Sequence, residues 1–166
     1  MNIGYTLSVS DRNNFLLQRV QPAMVGLIDG SLSTLAPIFG IAFYTQKPHT
    51  AFVAGLSTAI GAAISMAYSE GLSDTGELTG RGKPFTRGVI TGVGTFIGGI
   101  LHTLPFLIPE YRAAILTAAV VVGFELIGLA VIRWRFFETS FAKSLLNLTV
   151  GGAVIAVVGA LIGSAA

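Results

Sequence analysis

The sequence predicts an all-α, polytopic membrane protein with five transmembrane helices, its N-terminus cytosolic and its C-terminus outside. Three observations carry that prediction. Hydrophobic residues make up 52% of the 166 positions and charged residues 11%, against about 25% charged in a soluble domain. With 10 basic and 8 acidic side chains and a mean hydropathy of +0.76, a protein of this size could not cover itself in water. Five stretches are long and apolar enough to cross a bilayer core, which takes about 20 residues of helix, and the cations gather on alternate connections between them. The length suits one domain.

The chain divides into a cytosolic N-terminal segment, residues 1–21, and a five-helix transmembrane domain, residues 22–166. Within the segment, Asp11–Gln21 reads as a short interfacial helix capped by Ser10, with Phe15, Leu16 and Val20 against the membrane surface. The first span, Pro22–Phe43, does not read as a cleaved leader, since no basic n-region precedes it and it carries an acid. A polar turn at Gln46–His49 leads to the second span, His49–Tyr68. The polar loop Gly71–Arg87 separates it from the third, Gly88–Ile108. The turn Pro109–Arg112 precedes the fourth span, Ala113–Ile132, and a charged, aromatic connector, Arg133–Lys143, precedes the fifth, Leu145–Ile162.

Orientation follows from the basic residues. Arg12, Arg19, Arg81, Lys83, Arg87, Arg133, Arg135 and Lys143 share one side, and only Lys47 and Arg112 fall on the other. The richer side is the cytosolic one, and Trp134, Phe136 and Phe137 suit its aromatic belt.

Small residues recur at steps of four: Ala51, Gly55, Ala59 and Ala63 in the second span, Gly152, Ala156, Ala160 and Ser164 in the fifth. Gly88/Gly92 and Gly94/Gly98 do so in the third span, and Gly26/Gly30 in the first. Such rows let helix backbones approach in lipid, where burial of apolar surface supplies little drive. The spacing does not say whether the contacts lie within one chain or between chains.

Acids inside hydrocarbon cost several kcal/mol, so each asks for a function. Asp29 lies in the first span and Glu125 in the fourth, with no cation within four residues of Glu125. His102, near the outer end of the third span, suits a metal ligand, a proton relay or a structural donor to a neighbouring helix. Asn147 and Thr149 suit interhelical hydrogen bonding. Met66, Glu70, Asp74 and Glu77 are spaced four, four and three, so they share a face if the second span continues as a helix. Carboxylates with a thioether suit a borderline transition metal. Gly71 and Gly76 oppose that continuation, and the plainer reading pairs Asp74 and Glu77 loosely with Arg81 or Lys83.

Other classes are excluded. There is no cysteine, hence no disulfide, thiolate metal site or cysteine nucleophile. No hydrolytic or phosphate-binding motif is present, and no nucleophile–base pair is visible, so the chain does not read as an enzyme. A net charge of +2 without a basic run gives no support to nucleic-acid binding.

Gly26–Ser31 (GLIDGS) and Gly61–Glu70 (GAAISMAYSE) resemble the vacuolar iron transporter family. The resemblance implies five spans, a cytosolic N-terminus, a homodimer, and movement of Fe²⁺, often Mn²⁺, out of the cytosol in exchange for protons, with no permanently bound cofactor. Ser73–Gly82, His102–Pro105 and Ile132–Phe136 are similar to one branch, the transporter half of bacterial membrane-bound ferritins. That branch implies a bacterial inner-membrane location and a ferritin-like domain as partner, fused or separate. Asp29 matches the family's span-one aspartate in the ion path, Met66 its span-two methionine, and Glu70 the acid after it. Two departures stand out: the family's helical metal-binding domain between spans two and three is replaced by Gly71–Arg87, and the span-one proline, Pro37, comes eight residues after Asp29, which displaces the kink outward.

The resulting expectation is a divalent metal exporter working by proton antiport. Asp29, Met66, Glu70, Asp74 and Glu77 are its candidate metal residues, Asp29 and Glu125 its proton path, and an ion path between two subunits runs beside span one. The competing reading is a non-transporting membrane module that anchors or assembles a partner, with Asp29 and Glu125 only holding helices together.

Overall fold

The computed structural model describes residues 9–166; the first eight residues of the N-terminal segment lie outside it. Among the described residues there are helices and turns but no strand. The elements are α1 (Val9–Phe15), a π-helical stretch (Leu16–Val20), α2 (Gln21–Ser33), α3 (Leu35–Thr45), α4 (Pro48–Gly71), α5 (Pro84–Leu101), a 3₁₀ turn (Leu104–Leu107), α6 (Tyr111–Phe137) and α7 (Phe141–Ala165). Four helical segments are long and apolar enough to cross a membrane: Ser10–Thr45, α4, α6 and α7. Large apolar side chains such as Phe124, Leu146, Val154 and Leu161 face outward along them, as on a surface that meets lipid, and the chain is an integral membrane protein. The fifth long helix, α5, is the glycine- and threonine-rich centre of the bundle, packed between α2 and α4.

Several boundaries differ from the sequence reading. Asp11–Gln21 is helical, but it forms the first turns of the long Ser10–Thr45 helix, and Ser10 lies inside α1. Phe15 is exposed, while Val20 packs toward a core of Met24, Leu126, Leu129, Ala130 and Leu148. The third span stops at Leu101 instead of Ile108, because Pro105 and Pro109 offer no backbone N–H to continue it. The chain then returns outward through the 3₁₀ turn, whose Phe106 meets Phe39 edge-on at 6.4 Å. The charged connector is mostly helix: α6 runs to Phe137 and α7 begins at Phe141. Asn147 and Thr149 are exposed on α7.

The first span breaks at Thr34, three residues before Pro37. Proline cannot donate to Ser33, and its ring crowds that carbonyl. Thr34 Oγ1 instead donates to the Gly30 carbonyl at 2.8 Å. The break thus lies on the C-terminal side of Asp29, between it and Pro37.

The small-residue rows make contacts within one chain. A Cβ on Gly26 would fall on the Thr91 carbonyl, and one on Gly30 on the Thr95 carbonyl. In return, Gly94 and Gly98 receive the Ala23 and Leu27 carbonyls, 2.8 and 2.5 Å from where their Cβ atoms would be. Pairs rise together along both chains, so α2 and α5 run parallel, backbone against backbone. Gly88 and Gly92 lie against the Ala67 and Ala63 carbonyls of antiparallel α4. In the fifth span the backbone contact falls to Gly159 and Gly163, against Ala36 and Gly40 of α3, and not to the row Gly152, Ala156, Ala160 and Ser164, whose last member is exposed. Gly30→Ala is therefore expected to destabilise the bundle by about 1–3 kcal/mol, the usual range for overpacking. Gly128, which has open space around its Cα, serves as the control. Melting in detergent checks the pair; equal melting of Gly30→Ala and Gly128→Ala would mean that the α2–α5 contact is loose.

Candidate functional site

Asp29 sits on the one open stripe of α2. Gly26, Gly30 and Ser31 face α5, and Met24 and Ile28 face the core shared with α6 and α7. Val25 and Ser33, four residues on either side of Asp29, are exposed, and Asp29 is half-buried between them. Its Oδ2 is buried, with no hydrogen-bond partner among the described residues. A carboxylate oxygen in that condition is costly unless a proton or a cation completes it.

Met66 is half-buried on α4, one turn before Glu70. The helix does not carry the Met66 stripe onward. It ends at Gly71, and the loop turns back at Gly76, Gly80 and Gly82, all in the left-handed region (φ +81°, +67° and +74°). Asp74 consequently folds back beside Glu70, whereas Glu77 is exposed and does not share their face. Among the described residues, no group of three or more His, Asp or Glu is arranged to hold a metal.

Glu70 and Asp74 are gathered around two arginines. Glu70 Oε1 accepts from Arg81 Nη2 at 2.6 Å and from Arg87 Nε at 2.9 Å. Asp74 accepts from Arg81 Nη1 at 3.1 Å and Arg87 Nη1 at 3.2 Å. Arg87 also donates to the Gly82 carbonyl and to Ser73 Oγ. Its side chain is 1% exposed, against 21% for Arg81. These bonds are charge-assisted and forked, a geometry guanidinium favours. The sequence reading paired Asp74 loosely with Arg81 or Lys83; it missed Arg87, and it missed Gln18, which donates to the Gly80 carbonyl at 3.0 Å and ties the π-helical stretch to the loop.

Partial burial opposes ionisation of Asp74, but Arg87, the Gly76 N–H and Arg81 outweigh it and hold the carboxyl below its ordinary value of 3.8. A carboxyl shifted down on folding contributes stability that is complete above its unfolded pKa and is lost as pH falls through the lowered folded value. The loop is thus expected to resist pepsin at pH above 3.8 and to open progressively below it. Asp74→Asn should be cut already at the higher pH, with a flatter profile. Indistinguishable profiles would show that Asp74 does not hold the loop.

A second polar cluster lies deep in the bundle. His102 caps α5 and is fully buried. Its Nδ1 is 2.9 Å from Glu125 Oε2, and its Nε2 is 2.7 Å from Thr34 Oγ1. Glu125 is 7% exposed, and its Oε1 is buried without a partner among the described residues. His102 and Glu125 were read separately from the sequence; their pairing depends on α5 stopping short. Glu125 lies 14 residues into α6, or about 21 Å at 1.5 Å per residue, and His102 meets it only because α5 ends at that depth.

Residues 20–79 match the VIT family. The match takes in Asp29, Met66, Glu70, Asp74 and Glu77. It supports the likeness to vacuolar iron transporters and, with the apolar helices, a membrane metal-ion transporter. It takes in most of Ser73–Gly82 but does not reach His102–Pro105 or Ile132–Phe136, the other two stretches on which the likeness to the ferritin-linked branch rests. No curated protein and no solved structure matches the chain.

Proposed function

We propose that this protein exports divalent iron from the cytosol in exchange for protons, with Mn²⁺ as a second substrate, and that it works as a homodimer in a bacterial inner membrane. The observation that carries the reading is Asp29: an acid in a membrane helix, inside the segment similar to the VIT family, with one carboxylate oxygen buried and without a partner among the described residues. The stripe Val25–Asp29–Ser33 carries exposed positions of α2 at Val25 and Ser33, so a second copy set against it would bring two carboxylates together. Two such groups would not both stay ionised without a cation, and that competition couples metal to protons, with Glu125 on the proton path. Met66 favours softer ions. Exposed Glu77 attracts metal to the mouth, where Arg81, the more accessible of the two arginines, gives way for Glu70 and Asp74 to receive it. The excess of cations at this end of the bundle supports its cytosolic orientation.

Purified full-length protein in vesicles with an imposed pH gradient tests this. Fe²⁺ and Mn²⁺ should enter from the side bearing the Leu72–Lys83 loop, and protons should leave the lumen with them. Met66→Leu, which conserves volume but removes the thioether, should shift the flux ratio toward Mn²⁺, the harder ion. Metal uptake indifferent to the pH gradient would remove antiport. No metal flux at all would leave the anchoring reading.

A further inference from the structure

We propose that Thr34, His102 and Glu125 form an intramembrane proton site separate from Asp29, one that reports its occupancy to the Gly30 carbonyl through the Thr34 hydroxyl. This deepens the exchange reading above and rests on it for its role in transport. The argument is a count of hydrogens. Nδ1 and Oε2 stand 2.9 Å apart, a distance at which two bare acceptors repel, so one proton lies between them. Thr34 has a single hydroxyl hydrogen and two acceptors to choose from: the Gly30 carbonyl at 2.8 Å and His102 Nε2 at 2.7 Å.

Two arrangements satisfy these contacts. In the loaded one, Thr34 donates to Gly30 and Nε2–H donates to Thr34. The second proton is shared between Nδ1 and Oε2, and the pair is neutral overall. In the empty one, the Nε2 proton has left. Thr34 swings its hydrogen to Nε2, Nδ1–H donates to a Glu125 carboxylate, and the pair carries one negative charge. One proton and one unit of charge separate the two states. The empty state also frees the Gly30 carbonyl at the break in the first span, one residue from Asp29. The Oε1 of Glu125, buried without a partner among the described residues, favours the loaded form, because a buried oxygen bears less charge in a neutral carboxyl than in a carboxylate.

Among the described residues, Asp29 is the one other strongly ionisable group within the packed spans. Among the packed lengths, α2 and α3 contribute only Asp29 between Pro22 and Phe43. Neither α4 between Thr50 and Ala67 nor α5 between Gly88 and Leu101 carries an acid or base, and α6 between Ala113 and Ile132 carries only Glu125. The length of α7 from Ser144 to Ala165 has none. Thr34 is thus a positioning residue, and the proton belongs to His102 and Glu125.

The test has two arms, both on the full chain. In the first, His49→Gln leaves His102 as the one imidazole, and ¹⁵N imidazole NMR in lipid reads which ring nitrogens carry hydrogen near neutral pH. The loaded state predicts a protonated Nε2. An Nε2 that stays bare beside Nδ1–H on acidification as well would overturn the proposal, whether or not the protein transports. The second arm measures protons moved per Mn²⁺ in vesicles. His102→Gln and Glu125→Gln should move fewer protons per ion than wild type, the Asp29 exchange remaining; Thr34→Val should do the same, and Thr34→Ser should restore the wild-type ratio. Unchanged coupling in His102→Gln and Glu125→Gln would overturn the proposal. Wild-type protein without metal flux would overturn the exchange reading alone, leaving the NMR arm to decide the proton site.

Discussion

Asp29→Asn is expected to abolish metal flux without lowering the melting temperature of the protein. The substitution conserves shape and removes charge. The contacts that seat α2 against α5 are made by Gly26, Gly30 and Ser31, and those against α6 and α7 by residues such as Met24. The Oδ2 of Asp29 has no protein partner among the described residues, so the exchange strands no donor there. What disappears is the capacity to bind a cation in a medium where a divalent ion without carboxylate compensation is prohibitively costly. Flux should fall to the level of empty vesicles, and Asp29→Glu should retain a measurable part of it. Near wild-type flux in Asp29→Asn would remove Asp29 from the ion path. A large drop in melting temperature would recast it as a structural acid.

Arg87→Met is expected to cause the largest loss of stability, about 3–5 kcal/mol, the range for breaking a buried ion pair by removing one partner. Arg87 is the inner of the two guanidiniums, and its removal leaves Glu70, 11% exposed, with only Arg81 to neutralise it. Lysine is not an adequate replacement, since one ammonium cannot reach Glu70, Asp74, Ser73 and the Gly82 carbonyl in the forked geometry. Arg81→Met should cost less, because its side chain is more exposed and Arg87 stays in place. Thermal melts of the three variants, with protease mapping of the loop, check this ordering. If Arg87→Met melts like wild type, the arginine cluster is decorative.

What could be read from the sequence was local. The steps of four among Gly26, Gly30, Gly94 and Gly98 announce close helix contact, because the pattern and the property belong to the same turn of helix. Their pairing does not follow: the spacing carries no sign that α2 runs parallel to α5, and only the chain path places them together. The intramembrane acids were legible because lipid makes any acid conspicuous. Their partners were not. Glu125 meets His102 because Pro105 ends a helix whose apolar run continues past it to Ile108. Glu70 and Asp74 meet Arg81 and Arg87 because three glycines turn a loop that charge spacing alone would extend. The Gln18–Gly80 bond joins residues 62 positions apart, and nothing in either neighbourhood signals it.

The glycine contacts also fix which parts of the molecule can move. Where a carbonyl oxygen rests against a bare Cα, as Thr91 does on Gly26 and Gly40 does on Gly163, two helices cannot slide past each other a residue at a time, because every neighbouring register puts a side chain into the seam. The N-terminal half of the first span is therefore geared to α5, and its C-terminal half is geared to α7. Thr34 is the joint between the two levers. A rearrangement that opens one mouth and closes the other while keeping both seams engaged must bend there, one turn from Asp29.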